Sequence, residues 1–169
     1  MKSKLVAAGV AAVLLSGCAG YHLGSIKPYA LREIHSIAVP TFKNDTLVPR
    51  AEVLITDTVI KQIQSDGTYR IAGGDENADA TLKGEIYRVG RNPARSVRGN
   101  VLATTEFNLS LVVRYHLVDK QGNQLAGGDA FGATNFFVSS DVNTDERQAL
   151  PLAAESLAKN LTSQLSEGW

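Results

Sequence analysis

The chain has 169 residues, with 17 Lys and Arg balanced by 17 Asp and Glu, and a single cysteine. The balanced charge gives no electrostatic case for a nucleic-acid partner, and one cysteine excludes both an intramolecular disulfide and a cysteine metal cluster. The length corresponds to one ordinary domain, which can bury a core without a disulfide or a metal.

The amino-terminal segment has the pattern of a lipoprotein signal. Lys2 and Lys4 precede the apolar run Leu5 to Leu15, which is too short to span a bilayer. The tetrapeptide Leu15-Ser16-Gly17-Cys18 resembles the lipobox of bacterial lipoproteins. This implies cleavage before the cysteine and acylation of its thiol and new amine, and two or more acyl chains give a stable anchor. The alternative is a secreted protein with a chance cysteine, but a free thiol is a liability in an oxidising compartment.

We therefore expect three segments: a signal peptide at residues 1–17, a lipidated tether and lead-in to the first strand at 18–35, and a single domain at 36–169. The anchor residue is Cys18, and Ala19 follows it in place of the aspartate that retains lipoproteins in the inner membrane. The sequence therefore predicts a protein that is anchored to the outer membrane and faces the periplasm.

In the first half of the domain, a strand, a helix and a second strand follow one another. Ser36 to Phe42 is predicted as a strand, with Pro40 suited to an edge or a strand end. Arg50 to Ser65 is predicted as an amphipathic helix, because apolar residues recur there at spacings of three and four. Gly67 ends this helix, and Tyr69-Arg70-Ile71 begins the next strand.

The second half consists mainly of β structure. A strand over Ala80 to Val89 is followed by the clearest element, a strand with six alternating apolar residues from Phe107 to Leu117. This alternation indicates one buried and one wetter face, as in an antiparallel sheet. Asp119 to Asn123 is predicted as a hairpin turn, from which a strand returns from Leu125 towards Val138.

A second amphipathic helix is predicted at the carboxyl end, with Asn143 and Glu146 as a capping pair. Its apolar stripe consists of Leu150, Ala154, Leu157, Ala158, Leu161 and Leu165. Because an interior Pro151 would remove a hydrogen bond, either the helix proper starts near Leu150 or Asp145 to Ala149 is a separate turn. The order of elements predicts an α+β fold, with two helices packed on one face of a mostly antiparallel four- to five-stranded sheet.

Several segments, taken in order, resemble the LptE family of lipopolysaccharide-assembly lipoproteins. Cys18 to Leu23 is similar to the family's opening Cys-Gly-Tyr-x-Leu with one residue inserted. Phe42-Lys43-Asn44-Asp45-Thr46 is similar to its Phe-x-Asn-x-Thr. Ala78 to Ile86 matches its Ala-Asp-Ala-x-Leu-x-Gly strand, and Leu111 to Gly122 matches its long strand and turn.

The resemblance implies a non-enzymatic protein, without cofactor or metal, that binds and helps to assemble an LptD-like partner. This partner is the outer-membrane β-barrel of the lipopolysaccharide export machinery, and lipopolysaccharide itself is a further candidate ligand. The lumen of such a barrel is polar, so a domain without a large exposed apolar patch can enter it. The alternative is an envelope lipoprotein of similar fold that activates a peptidoglycan synthase or forms part of a secretion channel.

Four arginines between Glu85 and Glu106 form the candidate binding site: Arg88, Arg91, Arg95 and Arg98. No acidic residue lies between the two glutamates, and Asn92-Pro93 and Gly99-Asn100 predict a loop. Guanidinium groups bind phosphate and carboxylate through paired hydrogen bonds, and lipopolysaccharide cores carry both groups. We hypothesise that this loop contacts lipopolysaccharide or an acidic barrel surface. The alternative is a solvated hairpin loop.

The remaining polar residues give no support for catalysis or for a metal site. The three histidines, His22, His35 and His116, lack the spacing of metal ligands. No serine has the sequence context of an activated nucleophile, and the acidic residues ahead of the last helix are attributed to its start. Phe136-Phe137-Val138 and Trp169 are predicted either to pack on the sheet or to contact a partner.

Overall fold

The structure, a computed structural model, describes residues 27–97, 100–139 and 141–168. Cys18 and the whole signal segment, Arg98 and Trp169 lie outside these residues. The described elements follow in the order β1 (Ser36–Ala38), β2 (Lys43–Asn44), α1 (Ala51–Asp66), β3 (Arg70–Ile71), β4 (Ala80–Val97), β5 (Asn100–Asp119), β6 (Gln124–Phe137) and α2 (Val142–Ser166). Two 3₁₀ helices, Tyr29–Leu31 and Asp75–Asn77, connect them.

The described strands form one mixed sheet of six strands in the order β3-β1-β4-β5-β6, with β2 also paired to β4. The short strands β1, β2 and β3 pair in parallel, whereas the long strands β4, β5 and β6 are antiparallel. The predicted α+β class with two helices is confirmed, but the predicted four to five strands are too few. A strand of two residues carries no alternation to read, and only its pairing with a distant strand defines it.

The strand predicted over Ser36 to Phe42 is divided into two strands. β1 ends at Ala38, ahead of Pro40, which has no amide hydrogen to donate to a ladder. Pairing resumes in β2, where Lys43 lies opposite Glu85 of β4. Between the two strands the chain places Phe42 in the core with 2% of its surface exposed.

β4 extends past its predicted end at Val89, and the loop predicted at Asn92-Pro93 is wrong because these residues are part of the strand. Asn92 lies opposite Asn108, and Pro93 lies opposite Phe107. The next pair, Arg95 and Glu106, has a register irregularity on each side. Beyond Ile86 the described part of β4 pairs with β5 alone, so it is an edge strand, where proline is tolerated. Pairing with β5 outweighs a local composition that is typical of a loop.

The core lies between the sheet and the two helices. The alternation predicted for β5 is confirmed, since the buried side chains of its inner face are Leu109, Leu111, Val113, Tyr115 and Leu117. The helix predicted at Arg50 to Ser65 is α1, one residue displaced, and it buries Ala51, Ile55, Thr56, Val59 and Ile63. From the predicted stripe of the last helix, α2 buries Ala154, Leu157, Ala158, Leu161 and Leu165.

α2 is one continuous helix, so both predicted interruptions near Pro151 are wrong. The proline itself is exposed, while the alanines on both sides, Ala149 and Ala153, are buried. Their packing on the sheet offsets the one lost hydrogen bond. The predicted capping pair is also wrong, because Asp141 caps the helix by accepting a 3.0 Å hydrogen bond from the amide of Asn143.

α2 also closes the outer edge of β6. The amide of Phe131 donates to Asn160 Oδ1 at 3.0 Å, and the amide of Ala133 donates to Ser156 Oγ at 3.4 Å. One turn further along α2, Gln164 Nε2 donates to the carbonyl of Asp129 at 3.3 Å. Side chains four residues apart on one helix thus satisfy a strand edge that would otherwise be open to another chain.

Neither helix of the described residues has the length and apolarity that a bilayer crossing requires.

Candidate functional site

The three described arginines of the predicted site lie on β4 and on opposite faces of the sheet. Arg91 lies opposite Leu109 of β5, which is on the buried face. Arg88 lies opposite Val112, which points to the other side of the sheet because its neighbours Leu111 and Val113 face the core. Neither of the described α-helices packs on this side, which is here named the open face. The arginines therefore do not form the single patch that their spacing in the sequence suggested.

Arg91 is held on the helix side by groups from two other elements. Its Nη1 lies 2.6 Å from Oε2 of Glu146 on α2, and its guanidinium carbon lies 5.1 Å from the centre of the Phe107 ring. A partly exposed ion pair of this kind contributes little stability, about 0–1 kcal/mol. It does fix the direction of the guanidinium, and it shows that a counter-charge absent from the local sequence is supplied by the fold.

The other two arginines belong to the open face. Arg95 Nε lies 3.8 Å from Oε2 of Glu106 on β5. Arg88 is exposed and makes no ion pair with the described residues, and its guanidinium carbon lies 5.9 Å from the centre of the Tyr87 ring. Arg88 is therefore the described member of the set whose hydrogen-bond donors are most available to an anionic ligand.

A network of polar side chains near Arg88 stiffens the open face. The hydroxyl of Tyr87 donates to Oδ2 of Asp129 at 3.0 Å, and Nε of Arg114 lies 3.4 Å from Oδ1 of the same carboxylate. The Arg114 guanidinium also stacks 4.8 Å from the centre of the Tyr87 ring. These three residues come from three different strands, so no single segment of the sequence predicts the network.

A second network of polar side chains lies on the open face nearer the start of β5. Asn108 Nδ2 donates to Oδ1 of Asn135 at 2.8 Å, and Asn135 Nδ2 donates in turn to Oε1 of Glu106 at 3.0 Å. The wetter face that the β5 alternation predicts is thus confirmed, and its polar groups are mutually satisfied rather than scattered.

Between the two networks lies a groove floored by small residues. Gly90, Ser110 and Ala133 lie side by side on β4, β5 and β6. With Arg88 and Phe131 on its walls, the groove has a volume of about 540 Å³. It offers one unpaired guanidinium, hydroxyl and amide groups and an aromatic edge. This arrangement can bind a polar anionic ligand, and the residues that line it include serine hydroxyls but no His, Asp or Glu side chain to activate them.

The segments that resemble family motifs hold the architecture together. Asp79 Oδ2 accepts hydrogen bonds from the amides of His35 and Ser36 at 3.0 and 2.9 Å and from the Ser36 hydroxyl at 2.9 Å. The His35 amide, and then the Ser36 hydroxyl and amide, hold the pKa of this carboxyl below its ordinary value. Asp79 therefore joins the start of β1 to the start of β4 as an ionised acceptor.

Tyr69 connects the end of α2 with the start of the described chain. Its hydroxyl donates to the carbonyl of Leu165 near the end of α2 at 2.7 Å, and Lys27 Nζ lies 4.6 Å from its ring centre. Burial, with a smaller contribution from the charge of Asp66, raises the pKa of Tyr69 to about 12, so its hydroxyl remains a donor at neutral pH. We call this region the amino-terminal end of the domain.

The other residues singled out in the sequence lie apart from one another. His35 Nδ1 lies 2.9 Å from the carbonyl of Glu33, and His116 Nδ1 lies 2.9 Å from Oε1 of Gln124. No three His, Cys, Asp or Glu side chains of the described residues are arranged to hold a metal ion. Phe136 is 7% exposed and stacks on the core, whereas Phe137 is 71% exposed. Strand alternation thus places the two neighbouring phenylalanines on opposite faces of the sheet.

Comparison with protein families matches residues 34–165 to the LptE model, which is described as lipopolysaccharide-assembly. This range includes all six described strands, the whole of α1 and nearly all of α2. No curated protein matches the chain.

Solved structures share the fold at low sequence identity. A minor lipoprotein from Acinetobacter baumannii is 16% identical, with a TM-score of 0.53 over 79% of this chain and 93% of its own. A PelC dodecamer from Paraburkholderia phytofirmans is 21% identical, with a TM-score of 0.51 over 83% of this chain and 94% of its own. A Xanthomonas campestris protein is 12% identical, with a TM-score of 0.56 over 76% and 81%. At these identities the likeness concerns the fold alone.

Proposed function

The chain belongs to the LptE family of lipopolysaccharide-assembly proteins, and from this membership we propose that it is a non-enzymatic outer-membrane lipoprotein. In this proposal Cys18 is acylated after removal of residues 1–17, residues 18–35 form the tether and the lead-in to the first strand, and the domain faces the periplasm. There it binds, and assists the assembly of, the β-barrel that exports lipopolysaccharide.

The observation that carries this proposal is the extent of the family match, over residues 34–165. A match confined to one motif would be weak, because a strand ending in Phe-x-Asn-x-Thr recurs in other envelope proteins. A match across both helices and the whole described sheet reflects the packing of the entire domain. The motif residues also have architectural roles, since Asp79 accepts three hydrogen bonds that join two strands.

The chemistry of the open face supports a barrel as the partner. The lumen of such a barrel is lined by polar side chains and water. The open face carries two hydrogen-bonded networks, one centred on Asp129 and one on Asn135, and these suit a polar surrounding. A lipid anchor would confine the domain to the membrane surface and so raise its effective concentration near the barrel.

We further propose that the arginines of β4 contribute to a contact with lipopolysaccharide or with an acidic barrel surface. Arg88 supports this best among the described members, because its guanidinium lines the groove and makes no ion pair there. Arg91 supports it least, because Glu146 already binds its guanidinium. Arg95 lies between them, with a long 3.8 Å ion pair to Glu106.

Changing all four arginines to glutamine is expected to weaken binding of purified lipopolysaccharide to the full chain by about tenfold or more. The reason is the loss of charge-assisted hydrogen bonds to phosphate and carboxylate groups. Binding is measured by titration of the detergent-solubilised protein at two salt concentrations, since an exposed ionic contact weakens as salt rises. Unchanged affinity would show that these arginines are only a solvated face of the hairpin.

The matched control removes the same amount of charge from exposed cations elsewhere: Arg32, Arg70, Lys120 and Lys159. It is expected to bind lipopolysaccharide within about twofold of the wild type, because these residues do not line the groove. An equal loss in both variants would mean that net charge alone determines binding. Thermal unfolding of each variant verifies that the domain remains folded.

A pull-down from detergent-solubilised outer membranes tests the main proposal. The full chain is expected to retain a large heat-modifiable barrel protein, and its intact mass is expected to include the acyl chains on Cys18. Depletion is expected to leave lipopolysaccharide in the inner membrane. Capture of a peptidoglycan synthase or of secretion-channel subunits, with cell-wall defects on depletion, would favour the alternative and overturn the proposal.

A further inference from the structure

The loop between β2 and α1, residues 45–50, presents a leucine to solvent. Leu47 is 101% exposed, which makes it the most exposed large apolar side chain among the described residues. Single apolar residues on a surface are common and need no explanation. What distinguishes Leu47 is the rigidity and the surroundings of the loop that carries it.

Side chains lock this loop in one conformation. Asn44 Oδ1 accepts from the amide of Thr46 at 3.0 Å and from its hydroxyl at 2.7 Å, and the Thr46 hydroxyl accepts from the amide of Val48 at 3.3 Å. Asn44 Nδ2 donates to the carbonyl of Val48 at 2.9 Å and to Glu52 Oε2 at 2.8 Å. Leu47 is therefore held at the centre of a preorganised turn, and binding through it would cost little loop entropy.

The residue that leads into α1 adopts an unusual backbone conformation. Arg50 has φ +63°, the one positive φ among the described non-glycine residues. A left-handed conformation costs a side-chain-bearing residue free energy that glycine does not lose. A long cationic side chain is nevertheless placed there, three residues after the exposed leucine, and it is exposed as well.

The surface beside Leu47 combines apolar groups with unpaired cations. Leu47, Pro49 and Leu150 of α2 line a cleft of about 190 Å³, together with Arg147. The described residues provide no ion pair for Arg50 or Arg147; the latter exerts only a weak longer-range attraction on Asp141.

The acids near the cleft are already engaged. Glu146 binds Arg91 at 2.6 Å, and Glu52 accepts from Asn44 at 2.8 Å. The amide hydrogen bond leaves the charge of Glu52 in place, whereas Arg50 and Arg147 have no ion pair with the described residues. The surface beside the leucine thus offers two available cations, and an apolar pocket bordered by carboxylates would complement them.

The loop lies at the opposite end of α1 from the start of the described chain. α1 begins beside the loop at Ala51 and ends at Asp66, close to Tyr69 at the amino-terminal end. A helix of 16 residues is about 24 Å long, so Leu47 lies about that far from the end at which the described chain begins. Leu47 is therefore exposed away from the point at which the described chain enters the domain.

We propose that Leu47 is an anchor residue that inserts into an apolar pocket of the barrel partner, with Arg50 and Arg147 pairing with carboxylates at its rim. This inference rests on the proposed function and assigns the contact surface of that partnership. A few residues that fill well-packed pockets, arginine among them, carry most of the energy of many interfaces, and the rim around them is polar.

The test compares full-length variants for binding to the lipopolysaccharide-exporting barrel purified from the same cells. Leu47→Ser is expected to weaken affinity by about tenfold or more, because it removes the buried apolar surface. Arg50→Gly is expected to weaken affinity severalfold while raising the melting temperature, because glycine relieves the left-handed backbone. If the loop had only a structural role, a change that raises the melting temperature would not weaken binding to the barrel.

Tyr29→Ser is the matched control, since Tyr29 is 85% exposed but lies at the amino-terminal end. It is expected to bind like the wild type. If the wild type captures the barrel and Leu47→Ser binds equally well, this inference is overturned and the proposed function stands. If the wild type captures no barrel, both fail.

Discussion

Replacing Gly132 with alanine is expected to lower the free energy of unfolding by about 3 kcal/mol, because overpacking a fixed contact costs about 1–3 kcal/mol or more. A Cβ at this position of β6 would lie 2.3 Å from the carbonyl oxygen of Ala153 and 2.5 Å from the amide of Leu157. Both atoms belong to the backbone of α2, so rotation of a side chain cannot relieve the clash. The helix would have to move away from the sheet.

That movement would also break the closure of the β6 edge. Asn160 and Ser156 reach the amides of Phe131 and Ala133 only while α2 lies against the strand. Urea unfolding followed by circular dichroism measures the loss in stability. Hydrogen exchange at the two edge amides reports on the position of the helix, and faster exchange is expected in the variant.

Gly128→Ala is the control on the same strand and the same face. Its Cβ would meet nothing closer than 3.5 Å, and that neighbour is the flexible end of Gln164. We expect stability within about 0.5 kcal/mol of the wild type, since the loss of glycine also restricts the unfolded chain. Equal stability of the two variants would show that the packing of α2 on β6 does not require a residue without a side chain at position 132.

Replacing Gly84 with alanine is expected to cost about 2 kcal/mol of stability, again through overpacking. The ring of Phe42 lies directly over this glycine, and a Cβ there would come within 2.6 Å of the ring carbons. The ring has little room to move, since it is 2% exposed and its amide donates to Thr56 Oγ1 at 2.9 Å. The glycine that closes the Ala-x-Leu-x-Gly segment is thus explained by an aromatic ring from the segment between β1 and β2.

A double variant identifies the cause. Gly84→Ala combined with Phe42→Leu is expected to lose less stability than the sum of the two single changes, because the smaller side chain gives the new methyl group space. Gly90→Ala, on the same strand, faces only the Ser110 hydroxyl at 3.2 Å and is expected to change stability by less than about 0.5 kcal/mol. Strict additivity in the double variant would refute the ring contact.

The elements that follow a local repeat could be predicted from the sequence. α1 lies within one residue of its predicted range, and the inner face of β5 is the predicted one. Helical and strand periodicity are properties of neighbouring residues, so a single segment contains them. β1, β2 and β3 have no such repeat. They are strands because they pair with segments far away in the chain: β1 and β2 pair with β4, and β3 pairs with β1.

The candidate site could be predicted only in its composition. The sequence located the arginines but placed them in a loop without counter-charges. The fold instead sends Arg91 to Glu146 on α2, and Arg95 to Glu106 across the hairpin. Partners separated by 55 positions along the chain, as in the first pair, cannot be assigned from spacing in the sequence.

The sequence by itself determined the secondary-structure periodicity, the α+β class and the resemblance to the LptE family, because each depends on residues near one another or on their order. Only the tertiary structure decided which face each arginine occupies, that α2 continues through Pro151, and that Leu47 stands alone in solvent on a locked turn. These features depend on strand register and helix packing. Both are set by the burial of the whole core rather than by any one segment.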